Sequence, residues 1–393
     1  MKKLWLAGVA ALQLGLILAC TGSSSEKDDT ADTAPPDTAP PEDTGDTTDD
    51  TGDTHPSGEF TLLSDPCSGA GTPYAMRFTS ASEGWYGCGN GIGLYHTTDG
   101  GDSFEAGHPS ADLYVFDIEQ AADGDMLVCG HDYGADNGVL LYRGTVGDWA
   151  PLLRYGNNAD GTDMVYMSNC GQVAEAGDGT MIVASNTAGD LTWSTDDGLN
   201  WAKEERYWEN ANLEGGYSYY YMLQLQAAGG AYYGAGSKID EPPVFFTPSA
   251  LADAEFYNFE AHIITSSVEG ETWALSTSDG GLTWFAGGRD QSASAVASGF
   301  LYRSDDGGET WTSIALGEEI DILRAIAFDA TGTWGVAVGH RYPTMQGGFV
   351  LLTDDGGATW TELDEETDLL YSAAVYGSTY WVAGDAFLAR GTF

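Results

Sequence analysis

The sequence predicts an all-β chain of repeated four-stranded units, and three observations support that fold class. The first is an octapeptide, Thr353–Trp360, reading Thr-Asp-Asp-Gly-Gly-Ala-Thr-Trp. It recurs as Ser304–Trp311, Thr277–Trp284, Ser194–Trp201 and, with Phe for Trp, Thr97–Phe104. The second is that apolar, strand-like runs flank the copies. The third is composition: 54 Gly, 21 Tyr and 12 Trp among 393 residues suit many short strands joined by tight turns.

The shared template is Ser/Thr-x-Asp-x-Gly-x-x-aromatic. An Asp after a strand accepts hydrogen bonds from backbone N–H groups of its own turn. A Gly two residues on takes a positive φ without steric penalty. The aromatic opens the next strand and packs between sheets. These roles fall on Asp99, Gly101 and Phe104, on Asp196, Gly198 and Trp201, and on Asp279, Gly281 and Trp284. They fall equally on Asp306, Gly308 and Trp311, and on Asp355, Gly357 and Trp360. The template resembles the Asp-box of the BNR repeat, found in sialidase-like and other β-propellers. The resemblance implies that the carboxylates hold turns rather than bind metal, and that the boxes lie away from the propeller mouth.

From the N-terminus, Lys2 and Lys3 precede an apolar run from Leu4 to Ala19. That is the order and length of a secretory signal, and too short to span a membrane. It ends in Ile17-Leu18-Ala19-Cys20, which resembles a bacterial lipobox. The resemblance implies removal of residues 1–19 and lipidation of Cys20; an ordinary signal peptide with an incidental cysteine is the alternative. Thr21, after the cysteine, points to the outer membrane or cell surface.

Residues 20–58 form a tether. Thr21 to Gly58 is almost only Thr, Asp, Pro, Ser, Gly and Glu, with no aromatic. Such a segment buries too little surface to offset its ordering entropy, so disorder is expected. Its charge and proline pairs extend it. The tract is similar to linkers that follow the lipobox in surface lipoproteins of some Gram-negative lineages.

The formal net charge of −46, from 60 acidic and 14 basic residues, argues against nucleic-acid partners. It also argues against charge-driven adhesion to anionic lipid, leaving the N-terminal lipid as the membrane contact. Mutual repulsion favours a monomer.

From residue 59 to 393 the strands group in fours, with the box turn between the third and fourth. The clearest unit is Leu323–Leu363. Earlier units are Tyr74–His108, Leu113–Leu153, Met164–Glu205, Tyr219–Glu260 and His262–Ile314. Thr277–Trp284 falls out of rhythm; it serves either a hairpin between first and second strands or a truncated eighth blade. The remainder, Leu370–Phe393, supplies three strands, and Phe60–Ser64 is a spare that would complete the last blade and close the ring. A single β-propeller of seven four-stranded blades is the reading, with six or eight as alternatives. The second-strand phrases Gly-Trp-Tyr-Gly-Cys-Gly, Trp-Gly-Val-Ala-Val-Gly and Tyr-Trp-Val-Ala-Gly are similar to those of Ycf48-type assembly-factor propellers. That resemblance implies a binding or assembly scaffold rather than an enzyme.

Beyond Cys20, export makes disulfides an expectation for the other four cysteines. Cys67–Cys88 and Cys129–Cys170 are the favoured pairs because each links neighbouring segments. Cys88–Cys129 is the rival, and free buried thiols are the plain alternative. No Cys-x-x-Cys or His-x-x-x-His spacing supports a metal, and no motif calls for a cofactor.

An exported glycoside hydrolase of sialidase-like fold is the competing function. Sialidases resemble one another in an arginine triad and an Arg-Ile-Pro motif. This chain lacks Arg-Ile-Pro, and Arg77, Arg154 and Arg324 are the arginines that would form a triad. The run Tyr217–Tyr221 offers Tyr217, Tyr219 and Tyr221 as ligand contacts, with filling between blades as the alternative. The function expected is that of a lipid-anchored cell-envelope propeller. It binds an envelope protein or glycan without catalysis.

Overall fold

A computed structural model describes residues 60–134, 138–155, 169–185, 191–204, 221–237, 242–248, 259–292, 299–317, 319–341, 347–363 and 367–393. Among these residues the secondary structure is strand and turn, with no helix. The strands form seven antiparallel four-stranded sheets, arranged as a seven-bladed β-propeller. The signal segment, Cys20 and the tether lie outside the described residues, as do Tyr217 and Tyr219.

Each blade begins with its innermost strand. These are Pro73–Phe78, Leu113–Gln120, Gln172–Glu175, Tyr221–Ala228, Gly270–Thr277, Ile320–Phe328 and Leu370–Tyr376. Successive inner strands touch one another, and that of blade 7 touches that of blade 1. Later strands step outward in sequence order. The alternation of antiparallel strands therefore puts the hairpins after the first and third strands at one end of the ring. The inner strands start at the other end.

Blade 7 is completed from the far end of the chain. Its three strands Leu370–Tyr376, Thr379–Gly384 and Phe387–Thr392 are joined by Thr61–Leu62, with Thr61 opposite Arg390 and Leu62 opposite Ala389. This is the spare strand read from the sequence. The seam to blade 1 is sealed by Trp381, whose ring stacks on Phe78 with centroids 3.6 Å apart. Its indole N–H donates to Gly100 O at 2.9 Å.

The core is divided among the spaces between sheets. Phe245, Phe285, Trp284 and Trp381 are among its largest fully buried side chains. Apolar residues of one blade pack on the next, as where Leu323, Ala337 and Phe349 of blade 6 meet Phe285 and Leu301 of blade 5. Each such contact removes apolar area from water at about 25 cal/mol per Å². A single blade has no such partner, so the ring is the stable unit.

One boundary differs from the sequence reading. The strand Phe259–Ile263, which contains His262, is the outer strand of blade 4, where His262 stands opposite Phe245. Blade 5 starts at Gly270. The physical reason is the out-of-step box: Thr277–Trp284 closes the hairpin between the first and second strands of blade 5, with Thr277 opposite Trp284. It therefore starts no extra blade.

Two disulfides tie the front half of the ring. Cys67 bonds Cys88 across a Cα separation of 5.7 Å, joining the N-terminal segment to the second strand of blade 1. Cys129 bonds Cys170 at 5.2 Å, joining blade 2 to the approach of blade 3.

Candidate functional site

All five boxes lie in hairpins at the end of the ring where the inner strands finish. Their geometry repeats. In Ser304–Trp311 the Ser304 hydroxyl donates to Asp306 Oδ1 at 2.8 Å and accepts from Gly308 N at 2.8 Å. Asp306 then accepts from both the backbone N and the hydroxyl of Thr310, at 2.9 and 2.6 Å. The same four-part network joins Thr353, Asp355, Gly357 and Thr359. Ser103, Asn200 and Thr283 take the part of Thr310 in the other boxes. The template had left that position unassigned, although Ser, Asn and Thr all carry the needed donor.

The box glycines all adopt positive φ, from 78° at Gly357 to 123° at Gly281. Gly357 has a second reason to lack a side chain: a Cβ there would run into the ring of Phe285 on the preceding blade. The aromatic residue closes the turn through its indole. Trp284 donates to Gly281 O at 2.9 Å, Trp311 to Gly308 O at 3.0 Å, and Trp201 to both Gly198 O and Leu152 O of blade 2. Phe104 has no such donor and packs near Tyr86 with centroids 5.7 Å apart. Trp360 Nε1 is buried without a partner.

Hydrogen bonds from Ser103, then Thr97, pull Asp99 down to about 2. Those from Thr310, then Ser304, do the same for Asp306. Asp196 is lowered chiefly by Asn200. At Asp279 and Asp355, burial raises the carboxyl, but the hydrogen bonds from Thr283 and Thr359 outweigh it. These are spent turn carboxylates, turned toward their own backbone.

A second pattern lies on the inner strands, towards the end where they start. Six of the seven bulge against the second strand of their blade, at Tyr74, Phe116, Leu223, Trp273, Arg324 and Tyr371, and blade 6 has a second shift at Asp321. A bulge leaves its residue unpaired and re-aims the side chain. In five of the six blades the residue before the bulge stands opposite a glycine: Gly130, Gly236, Gly288, Gly339 and Gly384. A Cβ on Gly339 would land on the carbonyl oxygen of Ile322, and one on Gly384 on that of Leu369. In these five blades a glycine of the second strand thus lets the bulged strand press in. Blade 3 lacks it in Met181–Ala184 and pairs without a shift.

Five of the bulged side chains form a collar around the channel. Phe116 and Tyr74 have centroids 5.7 Å apart, and Tyr74 and Tyr371 6.2 Å. The Arg324 guanidinium carbon stands 5.8 Å from the Tyr371 ring and 4.6 Å from the Trp273 ring. The arc spans blades 2, 1, 7, 6 and 5. Behind it, His340 sets its ring edge-on to Tyr371 at 4.9 Å. Tyr221, the remaining member of the tyrosine run, begins the inner strand of blade 4 at the same end of the ring, opposite Ser237.

Arg324 differs from its counterparts. Arg77, Arg143, Arg289, Arg303, Arg341 and Arg390 each meet a carboxylate, for instance Arg77 with Glu119 at 3.1 Å and Arg289 with Asp321 at 3.5 Å. Arg324 instead has two aromatic faces, and its Nε is buried without a hydrogen-bond partner. Trp273 Nε1 and His340 Nε2 are likewise buried and unpartnered. Burial lowers the Arg324 pKa, and burial followed by the Arg324 charge lowers His340 to about 4. Tyr371 is pushed up to about 12, first by burial and then by Asp385. At neutral pH Arg324 is a cation beside the neutral His340 and Tyr371 rings, and the charges of Glu271 and Arg289 also reach it. Cation–π contact holds a guanidinium without neutralising it.

The arginines considered for a triad do not form one group. Arg77 and Arg324 are on the inner strands of blades 1 and 6. Arg154 is on the outermost strand of blade 2, about 14 Å from its inner strand over three strand spacings. Among the described residues, no group of three or more His, Cys, Asp or Glu is placed to hold a metal.

The chain is a seven-bladed β-propeller carrying Asp-box repeats. The BNR/Asp-box repeat family matches residues 302–313, the fourth box with its flanks. No curated protein matches the chain in sequence. Among solved structures it is similar to YCF48 bound to a D1 peptide, at 17% identity over 86% of this chain and 98% of that one, with a TM-score of 0.56. It is similar to virginiamycin B lyase from Staphylococcus aureus, at 12% identity, 86% and 99% coverage and TM-score 0.55. It is also similar to a GH74 xyloglucanase from Xanthomonas campestris, at 14% identity and TM-score 0.54, covering 84% of this chain and 53% of that one. The shared fold thus serves a peptide-bound protein and two enzymes.

Two predictions follow from this geometry. Gly339→Ala separates the inner strand of blade 6 from the second strand, towards the channel. It lowers stability by about 1–3 kcal/mol, read as a reduced urea midpoint, and alters the near-ultraviolet signal of Trp273. In the boxes, the folded-state pKa values of Asp99 and Asp306 lie below the usual carboxylate range. Their contribution is present above about pH 4 and lost as pH falls towards about 2. Asp306→Asn flattens that part of a stability–pH curve, whereas Ser304→Ala lowers stability by about 1–3 kcal/mol at neutral pH by stranding the buried Gly308 N–H.

Proposed function

We propose that this protein is a binding scaffold of the cell envelope. It is exported, anchored through lipid on Cys20, and held off the membrane by the acidic tether of residues 20–58. Its collar takes a segment of a partner protein. The observation that carries this reading is Arg324, a cation flanked by Trp273 and Tyr371 that makes no ion pair among the described residues, in a chain of net charge −46. An arginine so placed is ready for a carboxylate from outside, with aromatic walls for the apolar group beside it. Either a chain terminus or an acidic side chain on an otherwise neutral or basic segment fits. A polyanion does not, because the remaining surface repels it.

The likeness to a propeller solved with a bound peptide supports the choice of a protein segment over a glycan. The sialidase-like alternative is less well supported. Arg77 is engaged by Glu119 and Arg154 stands on an outer strand, so neither joins Arg324 in gripping a substrate carboxylate.

Short peptides with an aromatic residue next to a free C-terminal carboxylate are the direct probe. Titration calorimetry is expected to show binding that falls about tenfold or more with Arg324→Ala or with C-terminal amidation. Equal binding of the acid and amide forms would sink the reading. The anchor is tested separately. Metabolic labelling with a fatty acid marks the wild-type chain, and Cys20→Ser leaves it unlabelled and released from the membrane fraction.

A further inference from the structure

The ring has one seam, between blades 7 and 1, and the N-terminal segment crosses it. On the blade 7 side the hold is non-covalent, with Phe60 edge-on to Phe387 at 6.0 Å and packed on the cluster of Tyr380, Val382 and Ala389. The strand Thr61–Leu62 has two residues, extended by one bond from Leu63 N to Leu388 O at 2.9 Å, and Leu62 is 70% exposed. On the blade 1 side the hold is covalent and internal. Cys67 is bonded to Cys88, and both are fully buried. The Tyr86 hydroxyl donates to Asp65 Oδ1 at 3.1 Å, and Cys67 N donates to the same oxygen at 2.9 Å. Leu63 packs between, in the cluster of Phe78, Tyr86, Phe104 and Trp381.

We propose that Phe60–Cys67 is a redox-set clasp. The Cys67–Cys88 bond holds the closing strand on its own ring, and reduction frees that strand to leave blade 7 or to enter blade 7 of a second copy. A dithiol performs the reduction. It attacks the S–S bond, leaves as its own cyclic disulfide, and a proton goes to each cysteine sulfur. The buried sulfurs react only after local opening, so the oxidised clasp persists once made. Without the covalent tie this two-residue strand keeps only non-covalent contacts, and exchange of an identical element between copies is then an available route.

The clasp also bears on the collar. Tyr74 and Tyr371 are neighbours across this seam, on the inner strands of blades 1 and 7. Loosening the seam changes their spacing, while Trp273 and Arg324, in blades 5 and 6, stay together. The inference itself concerns closure and stands apart from what the collar binds.

The test uses the full chain and hydrogen exchange. In the oxidised protein, Phe387–Thr392 is protected. In Cys67→Ser/Cys88→Ser, its exchange is expected to rise roughly a hundredfold, with a smaller rise in Pro73–Phe78 and Leu370–Tyr376. Blades 3 to 5 stay unchanged, and dimers appear at high protein concentration. Cys129→Ser/Cys170→Ser leaves the seam protected. If the Cys67 variant does not fold, wild-type protein reduced with dithiothreitol in sub-denaturing urea replaces it. Seam exchange that stays at the oxidised level after both cysteines are shown to be free thiols overturns the proposal. So does an equal rise in every blade.

Discussion

The close approach of a bulged inner strand to a glycine of the next strand governs this molecule's centre. A side chain at Gly339 or Gly384 would occupy the space of a carbonyl oxygen on the inner strand. With glycine there, the inner strand gains one residue against its partner and turns that residue out of the ladder. The device recurs in five blades and turns one residue of each inner strand out of its ladder. Blade 3 lacks both the glycine and the bulge, while blade 1 bulges at Tyr74 with Cys88 opposite Pro73.

The other end of the ring runs on a different device. A buried hydroxyl at the head of each box between third and fourth strands donates to the Asp and accepts from the Gly N–H, so three residues are fixed by one oxygen. The boxes then face the preceding blade. Gly357 lies against Phe285, and the Gly100 carbonyl of blade 1 receives both Trp381 and Arg390 of blade 7. Turn chemistry and packing between blades are therefore one system. It leaves the start end of the inner strands free to carry a site.

Charge gives that site its character. In a chain with 60 acidic residues, most arginines find a carboxylate within the fold. Arg324 makes no ion pair among the described residues; the rings of Trp273 and Tyr371 flank it, and the charge of Glu271 reaches it through space.

Much of the fold was legible in the residues. The boxes name their own turns, because Asp, Gly and an aromatic at fixed offsets do one local job, and the spare strand Phe60–Ser64 follows from a three-stranded remainder. The offset box at Thr277 was compatible with a hairpin or a truncated blade, and starting the fifth blade at His262 took in the outer strand of blade 4, since only pairing shows which sheet an edge segment joins. The collar was not legible. Tyr74, Phe116, Trp273, Arg324 and Tyr371 share no motif and come from five blades, and a bulge is defined by two strands rather than one. The glycines ending the second strands were the available signal. The sequence by itself determined the blades, their turns and the closing strand, because each rests on short-range geometry. The tertiary structure decided which side chains meet at the channel, because that depends on register between strands and on contacts between residues hundreds of positions apart.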